Sequence, residues 1–296
     1  MNLGGYQLDI VHAGFLRLDG GAMFGIVPKA LWERRIPADA QNRIPLAMRC
    51  LLLRGHGRTL LIDDGVGDKA DAKFAAIYGL DYTEHELHRS LARLGVEAGD
   101  VTDVLLTHLH FDHCGGTTTR GADGQLALAF PNATVHVQRR QWDWARESPR
   151  EQASFLAENL DPLERSGRLN LLDGETTPFP NVEVLVVDGH THGQQLPLVR
   201  GESGALLYAA DLLPTTAHVP LLWIMAYDVE PLVTLAEKER ILDRAVAEGW
   251  TVFFEHDPEV ATARLVRTGR GYAVENPAAG FPEGPRVPAD GDRYGL

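Results

Sequence analysis

Residues 107–116 read Thr-His-Leu-His-Phe-Asp-His-Cys-Gly-Gly, and this stretch decides both the fold class and the chemistry that we expect. It places potential metal ligands close together in the chain: His108, His110, Asp112 and His113. The apolar run 104–106 before it is too short for a helix and predicts a buried strand. Because side chains alternate along an extended chain, His108 and His110 point the same way and can hold one ion. Asp112 and His113 follow where the chain must turn, which lets them face a second ion.

The composition excludes several classes of protein. A net charge of -13 over 296 residues argues against a broad nucleic-acid surface and against docking on an anionic membrane. The sequence contains no apolar run of about 18 residues, so we expect no membrane-spanning helix. Residues 1–10 lack the features of a signal peptide. Only two cysteines, Cys50 and Cys114, are present and they lie far apart, which suits a reducing cytoplasm.

Strand and helix patterns alternate in both halves of the chain. We predict strands at 44–53, 59–63, 104–106, 134–137, 182–187, 205–210 and 251–254. We predict helices at 83–94, 139–147, 151–160 and from Pro231 to about residue 248. The simplest architecture is one domain over residues 1–296, of two sheet-plus-helix halves, with a Pro/Gly-rich surface tail from about residue 277.

Residues with metal-ligating side chains recur just beyond the carboxyl ends of four predicted strands, where open α/β sheets assemble their sites. They are His108, His110, Asp112, His113, His190, Asp211 and His256. Five imidazoles and two carboxylates exceed the needs of one tetrahedral ion, and they suit two ions that share a bridging ligand.

The order of these motifs resembles that of the metallo-β-lactamase superfamily. The resemblance covers about residues 44–260 and consists of Thr-His-x-His-x-Asp-His at 107–113, Gly-His-Thr at 189–191, Ala-Asp at 210–211 and the strand-end His256. It implies an α/β fold, a four-layer αββα sandwich with the metals at one edge. It also implies that Asp63, in the early Leu-Ile-Asp-Asp-Gly segment, supports the site without being a ligand.

The resemblance further assigns the ligands. His108, His110 and His190 would hold the first metal, Asp112, His113 and His256 the second, and Asp211 would bridge them. A hydroxide bridging two Zn ions would then be the nucleophile, since two cations lower its pKa toward neutrality. The same nitrogen and oxygen ligands also accept Mn, Co or Fe.

Residues after the bridging aspartate are the candidates for contact with substrate. The resemblance places His218 and Tyr227 in the pocket region as candidate catalytic residues, although Tyr227 can equally be a core tyrosine with a satisfied hydroxyl. Met23, Phe24, Trp32, Leu222 and Trp223 are candidates for an apolar pocket wall. We expect neither His192 nor Cys114 to be a ligand, and we expect no site role for the remaining histidines: His12, His56, His85, His88 and His136.

The leading interpretation is a dinuclear zinc hydrolase acting on a lactone, a carboxylic ester or a phosphotriester, similar to N-acyl-homoserine lactonases and methyl-parathion-hydrolase-like enzymes. A small-molecule substrate is the expected partner, and a homodimer is the usual state of such enzymes. One alternative is a glyoxalase II-like thioester hydrolase, although Gln194 stands where that group has histidine. Another is a mononuclear iron persulfide dioxygenase, which uses two histidines and one aspartate. A third is a non-catalytic metal-dependent scaffold, which would require a missing ligand.

Overall fold

The computed structural model describes residues 1–281 of the chain. The strands are β1 (Asn2–Leu3), β2 (Tyr6–Asp19), β3 (Arg43–Gly55), β4 (Arg58–Ile62), β5 (Asp103–Leu105), β6 (Thr118–Arg120), β7 (Leu126–Leu128), β8 (Thr134–Gln138), β9 (Leu169–Leu172), β10 (Thr176–Phe179), β11 (Val182–Val187), β12 (Gln194–Gly201), β13 (Gly204–Tyr208), β14 (Thr251–Phe253), β15 (Thr262–Thr268) and β16 (Gly271–Ala278). The helices are α1 (Gly20–Phe24), α2 (Lys29–Trp32), α3 (Ala72–Tyr78), α4 (Leu87–Arg93), α5 (Phe111–Cys114), α6 (Arg139–Glu147), α7 (Ala157–Arg165) and α8 (Pro231–Glu248). Short 3₁₀ turns lie at Ala98–Asp100, Gly115–Thr117, Ala210–Leu212 and Thr216–His218.

Two seven-stranded mixed sheets form the body of the structure. The strand order is β1-β2-β3-β4-β5-β8-β9 in the first sheet and β10-β11-β12-β13-β14-β15-β16 in the second, and β6 and β7 form a separate hairpin. Parallel pairing is limited to β4-β5, β5-β8 and β8-β9 in the first sheet and β13-β14 in the second. The parallel strands end at the edge where the candidate ligands lie, as the rule for α/β sheets predicts.

The alternation of side chains along β3 accounts for the layering. Leu51 and Leu53 belong to a buried cluster shared with the second sheet, whereas Cys50 and Leu52 belong to a second cluster that contains Leu91 of α4. On the far side of the second sheet, α8 contributes Ile241, Leu242 and Ala245 to the first cluster. The layers are therefore helix, sheet, sheet and helix, so the predicted four-layer αββα sandwich is confirmed. The assignment of residues 1–296 to one domain stays a prediction.

Several predicted elements need correction. The helix predicted at 83–94 begins at Leu87, because the Glu86 carboxylate caps it by accepting from the amides of His88 and Arg89. The helix predicted at 151–160 is wrong, since α7 runs over Ala157–Arg165. Glu151 instead turns its carboxylate into the interior of the protein. The sequence analysis did not predict nine of the strands: β1, β2, β6, β7, β9, β10, β12, β15 and β16.

The predicted tail lies mostly outside the described residues. Within them, Pro277 and Ala278 end β16, and Ala278 accepts a hydrogen bond from the amide of Ala261. The tail from about residue 277 stays a prediction. Among residues 1–281, no helix combines the length and the apolar character that crossing a membrane requires. Cys50 and Cys114 are both buried free thiols.

Candidate metal centre

The first cluster of candidate ligands brings together residues from three separate chain segments. His108 Nε2 lies 3.0 Å from His110 Nδ1, and His190 Nε2 lies 3.2 Å from the same His110 nitrogen. Asp211 Oδ2 lies 3.2 Å from His190 Nε2 and 3.9 Å from His108 Nε2. These four side chains are buried and offer one ligand atom each to a common centre.

The second cluster lies directly beside the first and combines α5 with the loop after β14. His113 Nε2 is 3.1 Å from His256 Nε2. The carboxylate oxygens of Asp112 lie 4.0 Å from His113 Nε2 and 3.8 Å from His256 Nε2. The short helix Phe111–Cys114 separates the directions of Asp112 and His113 from that of His110, which is why residues of one short segment belong to different clusters.

The two oxygens of Asp211 are divided between the clusters. Oδ2 faces His190 at 3.2 Å, whereas Oδ1 lies 3.2 Å from His256 Nε2 and 3.6 Å from His113 Nε2. Asp211 takes this position because β13 ends at Tyr208 and the next turn contains Ala210 at φ 42°, in the left-handed region that a residue with a Cβ seldom adopts. Backbone strain of this kind is concentrated at functional sites.

Each of the five histidines has its outer ring nitrogen next to an oxygen that accepts a hydrogen bond. The pairs are His108 Nδ1 with Thr107 Oγ1 (3.0 Å), His110 Nε2 with Glu151 Oε1 (2.9 Å), His113 Nδ1 with Asp63 Oδ2 (3.0 Å), His190 Nδ1 with Asp228 Oδ1 (3.0 Å) and His256 Nδ1 with the carbonyl oxygen of Ala47 (2.7 Å). Thr107 Oγ1 can accept because its own hydrogen is donated to Asp63 Oδ2. The proton of each neutral imidazole is thereby assigned to the outer nitrogen, and the lone pair of the other nitrogen is directed into the cluster.

This arrangement fits divalent metal ions. Two nitrogen lone pairs that face each other at 3.0 Å, as in His108 and His110, repel unless a cation or a proton lies between them. A tetrahedral zinc ion with ligands at about 2.0–2.1 Å separates its ligand atoms by roughly 3.3–3.4 Å. The measured separations of 3.0 to 3.9 Å in the first cluster bracket that value.

The electrostatics of the clusters favour positive charge. Burial lowers the pKa of His190, but the carboxylates of Asp211 and Asp228 outweigh burial and raise that pKa to about 10. Burial would raise the pKa of Asp211, yet the surrounding imidazoles, with His113 foremost, hold it well below its usual range. The carboxylates therefore stabilise either protons on the imidazoles or the metal ions that replace those protons.

Three supporting carboxylates were missed by the sequence analysis: Glu151, Asp228 and Glu255. The Glu151 carboxylate accepts from His110, and although burial raises the pKa of this group, the His110 contact outweighs burial and lowers it to about 2. Asp228 accepts from His190 through one oxygen and from the amide of Met225 through the other, at 3.2 Å. Asp228 and Glu255 each adjoin a residue that the analysis had singled out, but only the fold shows which ring they contact.

Glu255 supports His113 from the side opposite the second cluster. Its Oε2 lies 3.1 Å from His113 Nδ1, next to Asp63, and neither Glu255 oxygen has a hydrogen-bond partner among residues 1–281. Burial, followed by the charge of Asp63, raises the pKa of Glu255 to about 7, although His113 opposes the shift. Asp63 has the supporting position that the sequence resemblance implied, and its carboxylate also accepts from the amide of Thr107 at 2.7 Å.

A cavity of about 270 Å³ opens onto both clusters. Tyr227 lines it with 38% of its surface exposed, and its hydroxyl has no partner within the described part of the chain. Of the five residues predicted for an apolar wall, only Met23 is in the lining. Phe24 and Trp32 stack on each other in the core, Trp223 packs edge-on against Phe24, and Leu222 is largely exposed to solvent.

His218 does not reach this cavity. Its ring stacks on Phe24 at 4.6 Å, Nδ1 contacts Thr215 Oγ1 at 2.8 Å and Nε2 contacts the carbonyl oxygen of Met23 at 2.8 Å. Burial lowers its pKa to about 4, so the ring is neutral. The catalytic assignment of His218 is therefore corrected to a structural one, because both ring nitrogens are occupied away from the cavity.

The histidines and the cysteine that we expected to stay outside the ligand set lie elsewhere. His192 stacks on Trp144 at 4.1 Å, and Cys114 is directed toward the carbonyl oxygen of Leu109. The remaining five belong to none of the candidate metal groups among residues 1–281: His12, His56, His85, His88 and His136.

Comparison with known proteins relates the chain to one superfamily. The sequence profile of the metallo-beta-lactamase superfamily matches residues 45–265, about three quarters of the chain. An N-acyl homoserine lactonase from a Bacillus species is 27% identical over 230 residues, which cover 73% of this chain and 83% of the lactonase.

Solved structures show the same fold. A probable metal-dependent hydrolase from Staphylococcus aureus has a TM-score of 0.85 and 27% identity, with 94% of this chain and 98% of that one covered. The dizinc quorum-quenching lactonase AidC, solved with its product, has a TM-score of 0.76 and 21% identity over 93% of this chain and 95% of AidC. At 21% identity, the likeness to AidC bears on the fold alone.

Proposed function

The chain belongs to the metallo-β-lactamase superfamily, and from this premise we propose that it is a dinuclear metal-dependent hydrolase of a lactone, a carboxylic ester or a phosphotriester. The observation that carries the proposal is the division of the Asp211 oxygens between two histidine clusters, at 3.2 Å from His190 on one side and 3.2 Å from His256 on the other. A carboxylate with two oxygens can join a pair of metal ions about 3.5–4 Å apart.

The candidate ligands would be shared between two metal ions. The first ion would be held by His108, His110 and His190, the second by Asp112, His113 and His256, and both by Asp211. When bound, two such cations supply a hydroxide nucleophile at neutral pH and polarise the oxygen of the attacked group. The outer oxygen atoms that accept from the five rings would fix the ring orientations and keep the ligand atoms in place during the reaction.

Tyr227 is the candidate for stabilising the charge that develops on substrate. Burial raises its pKa to about 12, so the hydroxyl keeps its proton at neutral pH and can donate to an oxyanion or to the leaving oxygen. Its position in the cavity lining and its lack of a partner among residues 1–281 support this role.

A small lactone or ester is the substrate that we favour among the three classes. The curated relative acts on an N-acyl homoserine lactone, as its name states. The cavity of about 270 Å³ is slightly smaller than the usual range for small-molecule sites, roughly 300–1,000 Å³, and it therefore favours a compact substrate.

Two alternatives make different use of the same residues. A mononuclear iron dioxygenase would need only two histidines and one aspartate. The second cluster, formed by Asp112, His113 and His256, would then hold no ion. A glyoxalase II-like thioester hydrolase would use both clusters, so only the substrate separates it from the leading proposal. The buried Gln194 stands where that group has histidine.

Elemental analysis and turnover together test the proposal. We expect two zinc ions per chain, with Mn, Co or Fe as possible replacements, and we expect turnover of at least one member of a panel of lactones, thioesters, aryl esters and phosphotriesters. Removal of metal by a chelator should abolish turnover, and added zinc should restore it. Full turnover by metal-free protein would refute the proposal, and one iron per chain with oxygen uptake would favour the dioxygenase. A homodimeric state and a cytoplasmic location stay predictions of the sequence.

A further inference from the structure

The charged residues that line the cavity differ in how their charge is balanced. Asp112 and Asp211 face the imidazoles of the two clusters, and Glu151 is bonded to His110. Arg150 also lines the cavity, but it has no acidic partner within 4 Å among residues 1–281. Arg150 is exposed to solvent, and it is the one arginine of the cavity lining that forms no ion pair among the described residues.

A single hydrogen bond to the backbone holds the Arg150 guanidinium in place. Its Nη2 donates to the carbonyl oxygen of Ala226 at 2.7 Å, which ties the guanidinium to the segment that carries Tyr227. A guanidinium has five N–H donors, so most of them remain for another acceptor. Arg146, four residues earlier, is different because it pairs with Asp161 at 2.8 Å and Glu164 at 2.9 Å.

We propose that Arg150 is a specificity-determining residue that binds a carboxylate at the end of the substrate remote from the bond that is hydrolysed. The proposal rests on the proposed function, which places the reacting carbonyl at the metal clusters. A guanidinium matches a carboxylate through two parallel hydrogen bonds, so an anionic group is a better partner than a neutral carbonyl. The apolar side chains in the lining, including Leu18, Leu46 and Met225, would contact the methylene chain between the two ends.

The preferred substrate class is therefore a half-ester or lactone with a second carboxylate. Because Arg150 is exposed, solvent screens the charge pair, which should change binding by roughly 2- to 5-fold, and this preference is measurable in kcat/KM. Ester hydrolysis by water cleaves the acyl C–O bond, places the water oxygen on the acyl carbon and releases the alcohol. The remote carboxylate is unchanged by the reaction.

A matched pair of substrates tests the assignment. Monomethyl adipate and methyl hexanoate have the same chain length and the same ester, and differ only in the remote carboxylate. Acid release by the zinc-loaded protein at constant pH would give kcat/KM for each, and the ratio of the two values measures the preference. We expect a ratio that favours monomethyl adipate and that falls about 2- to 5-fold in Arg150→Ala, with a smaller fall in Arg150→Lys.

Arg168→Ala is the control, since Arg168 is exposed and also donates to a backbone carbonyl, that of Asn132, but does not line the cavity. It should leave the ratio as in the wild type. If Arg150 only tethered Ala226, its replacement would change both substrates equally and the ratio would stay constant, which would overturn the proposal. An absence of any preference in the wild type would overturn it as well.

Equilibrium binding of carboxylic acids tests the Arg150 assignment without any ester hydrolysis. Adipate and hexanoate each offer one carboxylate to the metal clusters, and only adipate has a second for Arg150. Calorimetry with zinc-loaded protein should give tighter binding of adipate by about 2- to 5-fold beyond the statistical factor of two for its two carboxylates, and this further advantage should be lost in Arg150→Ala. If no ester is hydrolysed while adipate keeps this advantage, the hydrolase proposal fails and the Arg150 assignment stands. Equal binding of the two acids would refute the assignment.

Discussion

Glu151→Gln should weaken metal binding at the first cluster, although the residue contacts no candidate ion directly. Its carboxylate accepts from His110 Nε2 at 2.9 Å and from Ser148 Oγ at 3.0 Å, and Trp144 Nε1 also donates to it. Glutamine has nearly the same volume but only one accepting oxygen. If its amide nitrogen faces His110, the imidazole proton moves to Nδ1, the atom that should bind the ion. If the amide nitrogen faces Trp144 instead, it meets the indole N–H, and the hydrogen bond is lost because both groups are donors.

The size of the effect follows from these contacts. A hydrogen bond to a charged group contributes about 1.5–3 kcal/mol, which corresponds to roughly a 10- to 150-fold change in an equilibrium constant. Replacement of residues that orient histidine ligands typically costs about 10- to 100-fold in metal affinity. We therefore expect the dissociation constant for zinc at the first cluster to rise about 10- to 100-fold in Glu151→Gln.

Competition with a fluorescent zinc chelator measures this constant without any substrate. Glu158→Gln is the matched control, since Glu158 lies at the start of α7 and pairs with Arg120 near the surface. Far-UV circular dichroism and thermal unfolding of both metal-free variants would show that they are folded. A zinc affinity within about twofold of the wild type in folded Glu151→Gln would refute the inference that Glu151 fixes the tautomer of His110.

Four further predictions concern other parts of the site and the core. Asp211→Asn should lower the zinc content from two ions per chain to about one, because an amide has a single accepting oxygen; two ions by elemental analysis would contradict the bridging role. Tyr227→Phe should reduce kcat about 100-fold at unchanged zinc content, and an unchanged kcat would remove Tyr227 from the mechanism. Lys238→Met should lower the free energy of unfolding, measured in urea, by about 3 kcal/mol. The reason is that the buried ammonium donates to the carbonyl oxygens of His218, Pro220 and Trp223. A loss below about 1 kcal/mol would mean that water replaces the ammonium. Neither cysteine should react with iodoacetamide in the native protein at pH 8, because burial raises the pKa of both thiols, and alkylation before unfolding would contradict this.

The sequence alone indicated the candidate ligand set and the type of fold. The spacing of His108, His110, Asp112 and His113 is local, so it is visible without the fold. The more distant candidates, His190, Asp211 and His256, were found because each directly follows an apolar strand pattern, and strand ends converge at one edge of an α/β structure. Hydrophobic patterning also predicted β3, β4, β8, β11 and α8 to within a few residues, since period and capping are local properties.

Only the tertiary structure decided which side chains orient those ligands. Glu151 and Asp228 lie 41 and 38 residues from the histidines they contact, and a single carboxylate at such a distance leaves no pattern in the sequence. His218 shows the opposite case, because its place in the chain suggested the cavity while its ring packs against Phe24 in the core. The direction of a side chain depends on how separate elements pack, and packing is a property of the whole fold. For this reason the sequence identified the atoms that can bind metal, whereas the fold determined what holds them in place and which residues remain for the substrate.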